Sequence, residues 1–224
     1  MKRKFKRCLA LSTVMAAFLG AAEPGLKITV LVYNYSGLPA EVKSQAEKEA
    51  ERIYRHGRVS IEWLDCPLSP EQVTQYPACE VAPGPTRLAL RILPQPMGER
   101  MRQGQDSFGF ALYPEDGSFA TVANVFSDDA EALTRRLGLS RPVILGHLMT
   151  HELGHLLLGV RSHSASGIMH VPWQKKELEI IAQGSMLFTS KEAQTMRTSI
   201  RARLATAAAA DPTSATSAVA DRKN

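Results

Sequence analysis

His151-Glu152-Leu153-Gly154-His155 sets two imidazoles four residues apart with a carboxylate beside the first. On a helix such positions share a face, so both rings can reach one cation. Zinc suits neutral imidazole nitrogens. It takes tetrahedral geometry and, where it catalyses, keeps one position for water, so three protein ligands are required. The pentapeptide supplies two. His147 continues the four-residue spacing, but at 1.5 Å rise per residue its α-carbon would stand about 12 Å from that of His155, too far for both rings to close on one ion. It reads as a packed or supporting histidine. His163 is the better third ligand, because Gly159 can adopt a left-handed conformation, end the helix and turn the chain back through Val160-Arg161-Ser162. Six residues further on, the turn-forming Ser164-Ala165-Ser166-Gly167-Ile168 delivers Met169, which is also a reasonable core methionine. His170 is an alternative ligand that would need a different chain path.

The order HELGHLLLGVRSHSASGIM resembles the metzincin clan of zinc endopeptidases, and the matrixin arrangement in particular: zinc helix, glycine bend, third histidine followed by serine, then the Met-turn. The resemblance covers about residues 140–172. It implies His151, His155 and His163 as ligands of one catalytic zinc ion, Glu152 as general base and Met169 beneath the metal. The chain departs from the usual pattern by carrying three residues, not two, on each side of the bend glycine. Val171 stands where some metzincins place a metal-facing tyrosine, so no tyrosine switch is expected. The rival geometry is thermolysin-like (gluzincin), with Glu177 or Glu179 from a later helix as third ligand. A rival of another class is a non-catalytic, zinc-stabilised peptide-binding protein, against which Glu152 argues.

These residues need a frame. The resemblance implies an α+β fold with a twisted mixed sheet, a backing helix, the central zinc helix, the Met-turn and a C-terminal helix. Residue patterns place strands at 26–34, 59–64, 86–93, 107–113 and 119–126. The charged, Ala-rich stretch from Ala40 to His56 reads as a helix stopped by Gly57. Ser140-Arg141-Pro142 has the form of a helix start, with a capping hydroxyl and a proline in the first turn, and the pattern runs on to Gly159. A last helix is expected from Ser190 to about Leu204, followed by a low-complexity, disordered tail at 205–224. In metzincins one edge strand holds extended substrate. Here 107–113 or 119–126 would be that strand, although Phe119, Val122 and Val125 also read as core residues.

The formal charge of +5 disappears on inspection, because Lys2, Arg3, Lys4, Lys6 and Arg7 account for the whole excess of 27 basic over 22 acidic side chains. No basic footprint for nucleic acid remains. That basic start leads into a short apolar run ending in Gly20-Ala21-Ala22, which reads as a secretory signal over residues 1–22. Export to the periplasm or outside follows, with no stable membrane anchor and only Glu23-Pro24-Gly25 before the first strand, so no inhibitory pro-segment is expected. Of three cysteines, Cys66 and Cys79 stay in the mature chain and most economically form one disulfide. The expected protein is a monomer, with residues 23–204 as one catalytic domain acting on peptides or proteins.

Overall fold

The computed structural model describes residues 25–94, 96–97, 100 and 108–210; the signal-like segment and residues 211–224 of the expected tail lie outside them. β1 (Leu26–Asn34) leads through a turn into α1 (Ala40–His56) and back to β2 (Val59–Asp65). β3 (Arg87–Leu93), β4 (Gly109–Leu112) and β5 (Val122–Phe126) complete one five-stranded sheet in the order β2-β1-β3-β5-β4. β2, β1, β3 and β5 run parallel, and β4 pairs antiparallel with β5 at the edge. The inner strands are covered on both faces. Val30, Leu31 and Val32 of β1 are all buried, as are Leu88, Ala89 and Leu90 of β3, which explains runs of apolar residues where a half-exposed sheet would alternate.

Two long helices give the site its support. α1 places Ala46, Ala50, Ile53 and Tyr54 toward the core at helical spacing. It packs on the central helix, which fills Arg141–Leu158 and is buried without a break from Ile144 to Gly154. Gly146 permits the close crossing, since a Cβ there would stand 2.7 Å from the Ala46 carbonyl oxygen. The Tyr54 hydroxyl donates to the Thr150 carbonyl at 3.3 Å, removing one polar conflict from this interface.

Between β2 and β3, α2 (Pro70–Val73) and α3 (Pro77–Glu80) form a small projection. Cys66 and Cys79 close it as a disulfide with α-carbons 5.7 Å apart. α4 (Ser127–Leu137) follows β5 directly, the central helix is α5, and α6 (Lys175–Ala182) and α7 (Ser190–Ala210) are the last elements of the described residues.

The architecture is the mixed α+β arrangement expected: a mixed sheet, a backing helix, a central helix and a C-terminal helix. Several details differ. The short α2 and α3 and the longer α4 and α6 add to the expected elements; α4 carries Asp128 and Asp129 in its first turn and stops at Gly138 in a left-handed conformation (φ 66°). Ser140 stands at the N-cap of α5 without a side-chain capping bond. α7 runs six residues past Leu204, because the alanines there are the best helix formers. Of the two candidate edge segments, 119–126 contributes β5, which lies inside the sheet between β3 and β4; only 107–113 contributes the edge. Among the described residues no helix is long and apolar enough to cross a membrane.

Candidate metal centre

The last two turns of α5 and the chain that leaves it bring three imidazoles together. Ligand-capable atoms of His151, His155 and His163 lie within 4.8 Å of one another. The ring centroids of His151 and His155 are 4.7 Å apart, and His163 stands 5.4 Å and 4.8 Å from them. Gly159 makes the return possible. Its φ of 91° ends the helix, and Arg161 and Gly167 continue the reversal at φ 61° and 80°. The loop is then pinned by Ser164 N–H to the Met169 carbonyl (3.2 Å) and Ile168 N–H to the Leu187 carbonyl (2.9 Å). The three residues on each side of the bend glycine still bring His163 to the pair.

Hydrogen bonds set the tautomers. His151 Nδ1 is 2.8 Å from the Ile168 carbonyl oxygen, which can only accept, so Nδ1 carries the proton and Nε2 is bare. Ser162 Oγ lies 2.8 Å from His155 Nδ1 and can accept in the same way. The two Nε2 atoms then face each other at 3.1 Å. Two bare lone pairs at that distance repel, and a cation between them removes the repulsion. Nitrogens on a tetrahedral zinc at 2.0–2.1 Å stand about 3.3 Å apart, close to what is seen. Burial pushes His151 down to about 4 and His155 to about 3, the neighbouring imidazoles adding to the shift, so both are neutral donors at neutral pH. The three-histidine cluster fits one zinc ion.

Glu152 follows the first histidine and is 4% exposed. Its Oε2 is buried without a hydrogen-bond partner, and desolvation alone pushes its carboxyl up to about 8. It tucks beneath the edge strand, where a Cβ on Gly109 would meet Glu152 Cγ at 2.7 Å. A buried carboxyl oxygen without a partner is costly for stability, and such groups are concentrated at functional sites.

Met169 is fully buried. Its Sδ lies 2.7 Å from where a Cβ on Gly154 would be, so the glycine between the two helix histidines admits the methionine. His147 does not join the cluster. It is fully buried, with Nδ1 donating to the Val143 carbonyl at 2.8 Å and its ring edge-on to Trp173. His170 also stays apart, with Nδ1 3.0 Å from the Ser164 carbonyl and Nε2 3.8 Å from Glu177. Glu177 is occupied in the capping box of α6, and Glu179 reaches Lys175 at 3.9 Å. Neither glutamate belongs to the three-residue group.

The groups that support the site are silent in the sequence. Ser162, the Ile168 carbonyl, Trp173 packed against His151 at 6.0 Å, and Tyr113, whose hydroxyl donates to the His155 carbonyl at 3.1 Å, carry no spacing signature. Ser162 alone had a signal, as a hydroxyl beside the third histidine.

No protein-family profile matches this chain, and no curated protein does. Among solved structures, the chain is similar to a zinc-dependent peptidase from Methanocorpusculum labreanum, with 14% identity and a TM-score of 0.48 over 75% of this chain and 99% of that one. It is also similar to archaemetzincin from Methanopyrus kandleri, with 15% identity and a TM-score of 0.46 over 80% and 99%. Both scores lie below 0.5, so what this chain does is read from its own geometry.

Proposed function

We propose that the chain is an exported zinc endopeptidase of metzincin type, with the matrixin order of site elements. His151, His155 and His163 are its ligands, Glu152 its general base and Met169 the residue beneath the metal. The observation that carries this reading is the convergence of three imidazoles next to a buried carboxyl with no hydrogen-bond partner on Oε2. Zinc held there would lower the pKa of its water to about 7 and polarise the scissile carbonyl.

The chain's own residues do the rest. Ile168 and Ser162 hold the His151 and His155 rings with Nε2 turned inward. Glu152 accepts the proton of the attacking water and delivers it to the leaving amine: burial makes its ionised form a stronger base, and the charge of a bound zinc would favour that ionised form. β4, antiparallel at the sheet edge and directly above Glu152, offers backbone groups to an extended peptide. Deleting that edge is expected to raise KM for peptides. A purely structural zinc site has no use for a base beside an open coordination position, which disfavours the non-catalytic alternative.

Metal content and peptide hydrolysis of the mature protein, compared with His163→Ala and Glu177→Ala, test the reading. Loss of both properties in His163→Ala with retention in Glu177→Ala supports the three-histidine site. The opposite pattern selects the thermolysin-like geometry.

A further inference from the structure

Arg203 on α7 is 2% exposed, yet no carboxylate among the described residues pairs with it. A guanidinium does not give up its proton under ordinary conditions, and buried charges are as a rule paired. Its Nη1 donates to the carbonyls of Pro85 (3.0 Å) and Ala120 (3.2 Å), Nη2 to that of Leu156, and Nε to Ser199 Oγ at 3.4 Å. Of five N–H donors, one on Nη2 is left over, and neutral acceptors leave the net charge in place. The guanidinium carbon also sits 4.5 Å from the centroid of the Phe119 ring.

This cation lines a cavity of about 640 Å³ and is the single charged residue among the described residues that does so. Phe119, Leu156, Leu157 and Leu158 give it apolar walls, and exposed Gln194 and Thr198 stand among its polar residues. The cavity adjoins the metal centre. Tyr113, another wall residue, donates to the His155 carbonyl, and Leu156 to Gly159 is the chain that joins His155 to the bend.

We propose that this cavity is a carboxylate subsite of the peptidase groove, with Arg203 at its base receiving an acidic group on a short apolar stem. A glutamate side chain of the substrate and the free C-terminus of a peptide share that chemistry. The word subsite rests on the peptidase reading above; the carboxylate preference does not.

The full mature chain, zinc-loaded and carrying Glu152→Ala to prevent turnover, is titrated calorimetrically with hexanoate and, as neutral control, hexanamide. Hexanoate is expected to bind at least about tenfold more tightly, the effect of one charge-assisted hydrogen bond. Arg203→Gln removes the preference, but it also frees three carbonyls and can unfold the chain. Thr198→Trp, a change at an exposed position, fills the cavity without touching the guanidinium and is expected to abolish hexanoate binding while zinc content stays at one. With the active enzyme, one of two peptide pairs, internal Glu against Gln or free C-terminus against amide, differs about tenfold in kcat/KM, and Thr198→Trp erases the difference. Equal affinity for hexanoate and hexanamide, or hexanoate binding untouched by Thr198→Trp, overturns the inference and leaves Arg203 a clamp between α5, α7 and the sheet. Selective hexanoate binding by a protein that cleaves no peptide overturns the peptidase reading, and with it the word subsite.

Discussion

Every residue of the central helix from Ile144 to Gly154 is buried, whereas none from Gly159 to Gly167 is. Both regions bring imidazoles to the same point. The helix places His151 and His155 by hydrophobic burial against α1, the sheet and Met169, forces that act whether or not a metal is bound. The loop places exposed His163 by positive-φ residues and a few backbone hydrogen bonds, forces that fix a path but bury little. The contrast teaches that one site can have a rigid half built by the core and a softer half that the metal itself helps to fix.

The largest expected effect separates chemistry from both halves. Glu152→Gln should lower peptide hydrolysis by about 10²–10⁴-fold while zinc content stays at one, measured by turnover and metal analysis on the same sample. The same variant has a metal-free signature. In the apoprotein the Glu152 carboxyl titrates at about 8 against 4.5 for the unperturbed group, so the folded state binds a proton that the unfolded chain releases between those values. That contribution to stability is fully present below 4.5 and is lost as pH rises through 8. Denaturant midpoints of the apoprotein should fall across this window relative to those of Glu152→Gln. Parallel curves would show that the carboxyl is not desolvated.

Removing a ligand from each half sharpens the comparison. His151→Ala and His163→Ala should both abolish tight zinc binding, but only the first should also cost the apoprotein about 2–4 kcal/mol, because only His151 fills core space. Equal apoprotein stabilities would erase the distinction between the halves. Met169→Ala should cost about 2–5 kcal/mol through the cavity left under Gly154, and Met169→Leu less than about 1.5 kcal/mol. Chemical denaturation of both variants checks this, and near-equal losses would mean that the sulfur matters more than the packing. The smallest effect is expected at Ser162. Its change to alanine should weaken zinc binding by about 10–100-fold with folding unaltered, read by competition with a chelator.

How far the sequence could be read follows the same division. β1, α1 and the central helix were legible because each repeats one signal over many residues: β-branched apolar runs, helical spacing, and Gly57 or Gly159 at the end. His151 and His155 were legible because a helix turns spacing directly into geometry. His163 could be nominated from a glycine and an order of residues, but its distance from the pair depends on Arg161, Gly167 and the Leu187 carbonyl, long-range terms with no local pattern. His147 shows the limit of spacing most plainly. It repeats the same interval on the same helix, yet Val143 and Trp173 claim its ring. Arg203 was invisible for a related reason, since a hydrogen bond formed across 47 residues leaves no mark on either neighbourhood.

The whole reading stands on three imidazoles sharing one zinc ion. X-ray absorption of the zinc-loaded mature chain should show a first shell of three imidazole nitrogens and one oxygen at about 2.0–2.1 Å, and His163→Ala should retain no stoichiometric zinc under the same loading. A first shell with two imidazoles and a carboxylate in the unaltered protein, or stoichiometric zinc retained by His163→Ala, would contradict it.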